Sequence, residues 1–246
     1  AAAVPRRRVR ARRSAARASE EYEPFEYGRL RVQPSARGPP GEQEDGRVVI
    51  SIDEGDAWGT SEHPTTRLVL RYLVDNLSGG ESVLDFGCGT GVLAVAAAAL
   101  GADVATGVDI VYEAVVAANE NAAANALPPE RVIACSNSDL PYLSVVRPAK
   151  YDVTLSNMLF NEQRNLLAEL AALTREGGRL CVSGLIEEDL ATCVSEYGEF
   201  FDFELDERGV AVHTREEGAP WVALVGVRNA REVSECVEDL SEAAVS

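Results

Sequence analysis

No run in the sequence approaches the ~20 consecutive apolar residues that a bilayer span requires, since the alanine-rich stretch after residue 91 is short and soon interrupted. No membrane association is therefore expected. There is also no C-x-x-C pair. The five cysteines, Cys88, Cys135, Cys181, Cys193 and Cys236, are odd in number, which argues against a zinc site or a disulfide framework and for a reducing compartment. Cys181, inside an apolar run, reads as a small core residue. No internal repeat is visible. Positive charge is scarce away from one end: the net charge is −17, yet Arg6, Arg7, Arg8, Arg10, Arg12, Arg13 and Arg17 fall within residues 1–19, which hold no acid. The rest of the chain is strongly acidic. Such a surface repels phosphate backbones and favours basic partners, so direct nucleic-acid binding is not expected; the same acidity also serves solubility alone.

What is present is organised around Val83 to Gly91, V-L-D-F-G-C-G-T-G. A β-branched and aliphatic run ends in Asp85, three glycines follow at alternate positions (Gly87, Gly89, Gly91), and Val92 to Leu100 reads as a buried helix. Glycines at a strand-to-helix turn permit positive φ and close approach of backbone to a ligand, next to free N–H groups at the helix start. A nucleotide-like cofactor is expected there. From Gly89, G-T-G-V-L-A also fits the dinucleotide fingerprint, with Asp109 near the expected ~20-residue distance, so an NAD-dependent enzyme stays open. Read from Asp85, D-x-G-x-G-x-G resembles motif I of the S-adenosylmethionine-dependent methyltransferases. That resemblance implies a glycine turn lying against the methionine part of the cofactor and a strand-end acid orienting its amino group. Asp109, closing the strand Val104 to Val108, would bind the ribose hydroxyls in either family. A turn that merely connects elements is the third reading.

The opening arginine-, alanine- and serine-rich residues, without an initiating methionine, read as the end of an organelle transit peptide, a nucleic-acid arm being the rival. Residues 1–21 are thus expected to be a disordered basic segment. Residues 22–46, with four prolines and several glycines, are expected to be a linker crossing the surface, with one strand-like piece near Gly28 to Val32. The catalytic domain is expected over 47–228, and 229–246 as an acidic tail. Arg47 to Ile52 reads as a strand leading into D-E-G-D-A-W-G-T-S-E-H-P-T-T-R, a loop before a helix over His63 to Leu77, where Leu68, Tyr72, Leu73 and Leu77 share a face. Alone, Thr65, Thr66 and His63 suit helix capping and structural hydrogen bonding.

Together, W-G-T-S-E-H-P-T-T, then V-L-D-F-G-C-G-T-G, G-V-D-I, S-N-M-L and P-W-V-A-L-V-G resemble the ribosomal-protein lysine methyltransferases of the PrmA type, over about Phe25 to Val227. The resemblance implies transfer of methyl groups to amines of large-subunit ribosomal protein eleven. Ser61 and Glu62 depart from the family's loop, which bears on its shape. The family also carries a small α+β recognition domain, for which the residues before Tyr22 are too few and too arginine-rich. The chain is accordingly expected to be a fragment or to have a different substrate.

Five strands alternating with helices (Val83, Val104, Arg131, Tyr151 and Arg179 onward), then Phe200 to Glu207 and Trp221 to Val227 about His213, predict an α/β fold. It is an open seven-stranded, mostly parallel doubly wound sheet with a C-terminal antiparallel hairpin. Further helices are expected over Tyr112 to Ala126, Glu162 to Thr174, stopped by Gly177-Gly178, and Ile186 to Tyr197. The candidate cofactor contacts are Thr60, Thr66, Gly87, Gly89, Asp109, Asp139 and Asn157, with S-adenosylmethionine as cofactor. Asn157, at a strand end, would also accept a hydrogen bond from the incoming amine and is the candidate catalytic residue. Trp58 and His63 would line the acceptor side. The expected partner is a basic protein, and a monomer is expected. The site is an organelle stroma or matrix if the arginine-rich start is a leader, and the cytoplasm otherwise. A small-molecule methyltransferase and a methyltransferase-like binding factor without turnover are the other readings.

Overall fold

The computed structural model describes residues 23–42, 46–53, 60–143, 147–207 and 211–233. In chain order, β1 (Phe25–Tyr27), β2 (Leu30–Pro34), β3 (Gly41–Glu42) and β4 (Val48–Ile52) precede α1 (Pro64–Asn76) and β5 (Ser82–Phe86). Then come α2 (Val92–Ala99), β6 (Val104–Val108), α3 (Tyr112–Ala124), β7 (Val132–Cys135), α4 (Leu140–Leu143) and β8 (Tyr151–Asn157). The last elements are α5 (Phe160–Gln163), α6 (Leu167–Leu173), β9 (Thr174–Ile186), α7 (Leu190–Tyr197), β10 (Phe201–Phe203), β11 (His213–Arg215) and β12 (Trp221–Arg228).

The larger sheet has the order β10-β12-β9-β8-β5-β6-β7. Strands β5 to β9 are parallel to their neighbours, and β12 runs antiparallel to β9. The chain is thus the expected α/β fold, seven strands across with antiparallel strands at its C-terminal edge. An eighth strand was not anticipated: β10 pairs with residues 226–228 of β12 and β11 with residues 222–224, so the two divide one edge between them. Side chains alternate across the sheet. Val83, Val153, Leu155 and Cys181 enter one core with α1 and α2, while Leu84, Phe86, Leu180 and Val182 enter another with α6 and α7.

Residues 23–42, within the expected linker, are not a surface linker. Leu30 and Val32 are fully buried and Phe25 nearly so, because β2 pairs in parallel with β4 in a four-stranded sheet of order β1-β2-β4-β3. This small sheet explains the composition of α2. The helix is covered by the large sheet on one side and by β4 on the other, so almost every side chain is buried and alanine and valine are what fit. Helix α3 then continues the hydrogen bonding of β4. Ser51 N–H donates to Asn125 Oδ1 at 2.9 Å and Asn125 Nδ2 to the Ser51 carbonyl at 2.7 Å. Asp53 and Asn121 repeat the exchange at 2.8 and 3.0 Å.

Boundaries differ where glycine was read as a stop. The stretch after residue 159 breaks into α5, a 3-10 turn and α6, and β9 already begins at Thr174. Tyr151 pairs with Thr174 but Val153 with Arg179, so Gly177-Gly178 lie in a bulge inside the strand and not between elements. Ile186 ends β9, and α7 starts after a 3-10 turn. Only residues 201–203 of the expected Phe200 to Glu207 strand pair with β12. The tail beyond Val233 lies outside the described residues.

Replacing Ala97, fully buried in α2 between the large sheet and β4, by leucine adds three carbons to a site sized for a methyl group. We expect Ala97→Leu to lose about 1–3 kcal/mol, read as a lowered urea midpoint at unchanged slope.

Candidate active site

The register of the parallel strands brings the candidate residues level. Phe86 pairs with Val108 on one side and Ser156 on the other, so Gly87, Asp109 and Asn157 each follow the same row at the C-terminal edge, where open α/β sheets bind ligands. Between β5 and α2 the chain turns back on itself, with the Gly87 and Cys88 N–H groups both donating to the Val108 carbonyl at 2.8 and 3.0 Å. Gly87 has φ +79°, and a Cβ there would come within 2.7 Å of the Met158 sulfur. Gly91 has φ +75° and would meet the Ala118 Cβ at 2.7 Å, so the helix behind the turn packs directly on α3.

Asp109 fastens this turn. One carboxylate oxygen accepts from the Gly89 N–H at 2.9 Å and the other from the Val111 N–H at 2.9 Å. The half-buried carboxylate is therefore fixed in orientation, and each oxygen keeps a lone pair for hydroxyl donors. Asp85 lies deeper. It is fully buried, its Oδ2 accepts from the Ala94 N–H in the first turn of α2 at 3.2 Å, and its Oδ1 has no partner. Burial pushes its carboxyl up to about 7; the Ala94 N–H works against that rise and the charge of Asp109 adds to it.

On the other side of the turn, Asn157 Nδ2 donates to Thr66 Oγ1 at 3.3 Å, joining the end of β8 to the first turn of α1. This bond uses the amide N–H and leaves the Asn157 carbonyl oxygen for another donor. His63 caps α1, with Nδ1 accepting from the Thr65 N–H at 3.4 Å and lying 2.7 Å from Thr65 Oγ1. Thr60 closes the tight turn before it, accepting from the His63 N–H at 3.2 Å. Asp139 is exposed beyond β7, its carboxylate accepting from Ser136 Oγ at 2.7 Å. It stands one strand out from Asp109, whose N–H donates to the Cys135 carbonyl at 3.1 Å. Trp58 lies outside the described residues. Among the described residues the aromatic ring beside His63 is Trp221, at the start of β12, with 5.7 Å between centroids and a tilt of 54°.

Three further buried residues support the site without having stood out in the sequence. Gln163 Nε2 donates to the carbonyls of Met158 at 2.9 Å and Ser183 at 3.0 Å, and its Oε1 accepts from Ser156 Oγ at 2.9 Å, which locks the N-M-L turn. Ser183 Oγ donates to the Thr65 carbonyl at 3.2 Å. Asn121 donates to the Thr90 carbonyl at 2.9 Å as well as to Asp53, tying the glycine turn to the end of β4. Each of these residues bonds backbone far away in sequence, so no local pattern marks it. Trp221 alone carried a signal, in the P-W-V-A-L-V-G segment. Cys88, beside the turn, is a free thiol pushed well up by burial and is no nucleophile at neutral pH.

Comparison with known proteins agrees with this geometry. The family described as "Ribosomal protein L11 methyltransferase (PrmA)" matches residues 6–229. A ribosomal protein L11 methyltransferase of Neisseria meningitidis is 39% identical over 85% of this chain and 64% of its own length. One from Thiobacillus denitrificans is 40% identical over 76% of this chain and 57% of its own. The chain thus spans less than two thirds of these relatives. A solved ribosomal protein L11 methylase from Lactobacillus delbrueckii subsp. bulgaricus superposes with a TM-score of 0.69 at 25% identity, covering 85% of this chain and 100% of that one.

The raised carboxyl of Asp85 makes stability depend on pH in a stated direction. Below the ordinary carboxylate range both folded and unfolded chains hold this proton. As pH rises toward about 7 the unfolded chain releases it first, so the stability is progressively lost, and above 7 the loss is complete. Asp85→Asn removes this contribution. Relative to the unmodified chain, the variant is expected to gain on the order of 1–3 kcal/mol between about pH 5 and about pH 8, measured as the difference of urea unfolding free energies.

Proposed function

The chain belongs to the ribosomal protein L11 methyltransferase family, and from that membership we propose that it transfers methyl groups from S-adenosylmethionine to an amine of a ribosomal protein, on a lysine side chain or a chain N-terminus. The observation that carries the reading is the level row of Gly87, Asp109 and Asn157 on three adjacent strands, with an unpartnered acceptor, Asp85 Oδ1, buried behind it. A buried carboxyl oxygen without a donor is costly, and such a group kept behind a row of ligand-facing positions marks this edge as functional. The Asp109 oxygens, held by Gly89 and Val111, suit a pair of ribose hydroxyls. Thr66, Thr60 and the backbone of Gly87 and Gly89 complete the cofactor contacts, with Asp139 at the outer end toward the base.

When bound, S-adenosylmethionine supplies an electrophilic methyl group on a good leaving group, so the protein's task is positioning and exclusion of water. Asn157, its amide nitrogen engaged by Thr66, presents its carbonyl oxygen to the N–H of the incoming amine and aims the nitrogen lone pair. His63, held as the cap of α1 against Trp221, lines the acceptor side, with Trp58, five residues before it in sequence, as the second acceptor-side candidate. The amine arrives protonated, and its proton leaves to water or to an acidic side chain of the rim. The strongly acidic body favours a lysine-rich acceptor. In this reading the protein acts as a monomer without contacting nucleic acid. The relatives compared are bacterial and give no support to an organelle address; the arginine-rich residues 1–22, on which that address rests, lie outside the described residues.

Incubating a cell lysate with the protein and donor labelled in its methyl group tests the proposal. Label is expected in a ribosomal protein; label confined to small molecules would replace it with a small-molecule methyltransferase, and no incorporation at all with a binding factor. For Asp109→Ala, calorimetry should show the demethylated product binding at least about tenfold more weakly, with a lowered melting temperature of a still folded protein because the Gly89 and Val111 N–H groups lose their acceptor.

A further inference from the structure

Helix α1 has two unlike faces. One face carries Thr65 and Thr66 toward the strand ends; the opposite face carries Arg67 and Arg71, one turn apart, toward the small sheet. Between that face and β1–β2 lies a pocket of about 560 Å³ lined by Glu23, Pro24, Phe25, Glu26, Arg31, Arg37, Arg67 and Arg71. Four guanidinium groups gathered against two carboxylates are unexpected on a chain of net charge −17. Glu216, from the turn between β11 and β12, holds Arg71 at 2.5 Å and Arg67 at 3.8 Å, and Glu26 holds Arg31 at 3.1 Å. These pairs fix the guanidinium planes but use only their terminal nitrogens. The Nε–H groups of Arg31, Arg67 and Arg71 are buried and have no partner. Four arginine Nε groups among the described residues are in that state, and three of them border this pocket.

We propose that this pocket binds carboxylate side chains of an acidic segment in a protein partner. A guanidinium fork meets a carboxylate with two parallel bonds, and these half-buried arginines keep terminal N–H groups beyond those their ion pairs use. The small excess of positive charge, bounded by Glu23 and Glu26, suits single carboxylates. An extended phosphate backbone needs a basic stripe, and the acidic body repels it. The position supports a role in acceptor recognition: Arg67 follows directly on the His63–Thr66 turn, so a partner seated here lies within one helical turn of the acceptor loop. An acceptor would then be read by two charges, its lysine at the acidic rim and its acidic residues in the arginine pocket. That last step rests on the methyltransferase reading; carboxylate binding does not.

The test is a titration of the full chain, labelled with nitrogen-15, with N-acetylated tetraglutamate amide, inorganic phosphate and a hexauridylate oligonucleotide in turn. The arginine Nε–H resonances of Arg31, Arg67 and Arg71 are followed. Tetraglutamate is expected to shift all three saturably, with an affinity that falls as salt rises. Arg31→Gln/Arg67→Gln should weaken it at least about tenfold. Should that double variant not fold, Arg37→Gln, at an exposed 3-10 turn, is expected to weaken binding about threefold or more. The proposal is overturned if no saturable shift occurs, if phosphate or the oligonucleotide saturates at a lower concentration than the peptide, or if the variant that folds binds tetraglutamate as the unmodified chain does. Because no methyl donor is present, failure here with label still entering protein would remove the arginine site and leave the methyl-transfer reading intact.

Discussion

The site depends on one carboxylate bonded to two loops. Asp109 receives the Gly89 N–H on one oxygen and the Val111 N–H on the other, so the turn after β5 and the turn after β6 are fixed relative to each other by a single side chain. Parallel pairing of β5 with β6 brings these turns side by side; the carboxylate sets their spacing. Charge-assisted bonds to backbone N–H groups are among the stronger ones in a protein, and two on one group leave it little rotational freedom. A ligand meeting this edge finds its acceptors already in place, which lowers the entropy lost on binding.

Asp85 shows what such placement costs. Its carboxyl sits out of reach of water with one oxygen unmatched, held near neutrality in its proton affinity by burial. The fold tolerates the group because the first turn of α2 offers it a backbone N–H and because dense packing surrounds it. Active sites commonly keep such locally unfavourable groups close to where ligands bind. The stability forgone at Asp85 and the rigidity gained at Asp109 are thus two parts of one arrangement.

Much of this was legible in the chain. Val83 to Gly91 encodes strand and turn within nine residues and the helix follows at Val92, and Asp109 and Asn157 fall at strand ends that apolar runs delimit, so their placement follows from local pattern. The strands near Gly28 to Val32 and over Arg47 to Ile52 were legible, but their pairing into a small sheet was not. Prolines and glycines between residues 22 and 46 suggested a surface path, but β2 ends at Pro34 and its apolar residues meet β4, a pairing that only the folded chain reveals. Gly177-Gly178 misled in a similar way, since glycine in a bulge looks like glycine at a helix end. Gln163, Asn121 and Ser183 bond partners distant in sequence, and a lone polar residue among apolar ones gives no hint of which backbone group it will meet. The arginine pocket draws on β1, β2, the 3-10 turn after β2 and α1, and no single segment contains more than two of its arginines.

The shared edge of β12 has a consequence for the molecule in a crowded solution. An unsatisfied outer strand invites pairing with another chain, and long flat ones are the most dangerous. Here the eight residues of β12 are overlaid by two three-residue pieces in succession, with an isolated bridge between Leu205 and Ala211 near where they part. The new outer border is therefore short and broken. It offers no continuous ladder on which a foreign strand might grow, and the far border, β7, is only four residues long.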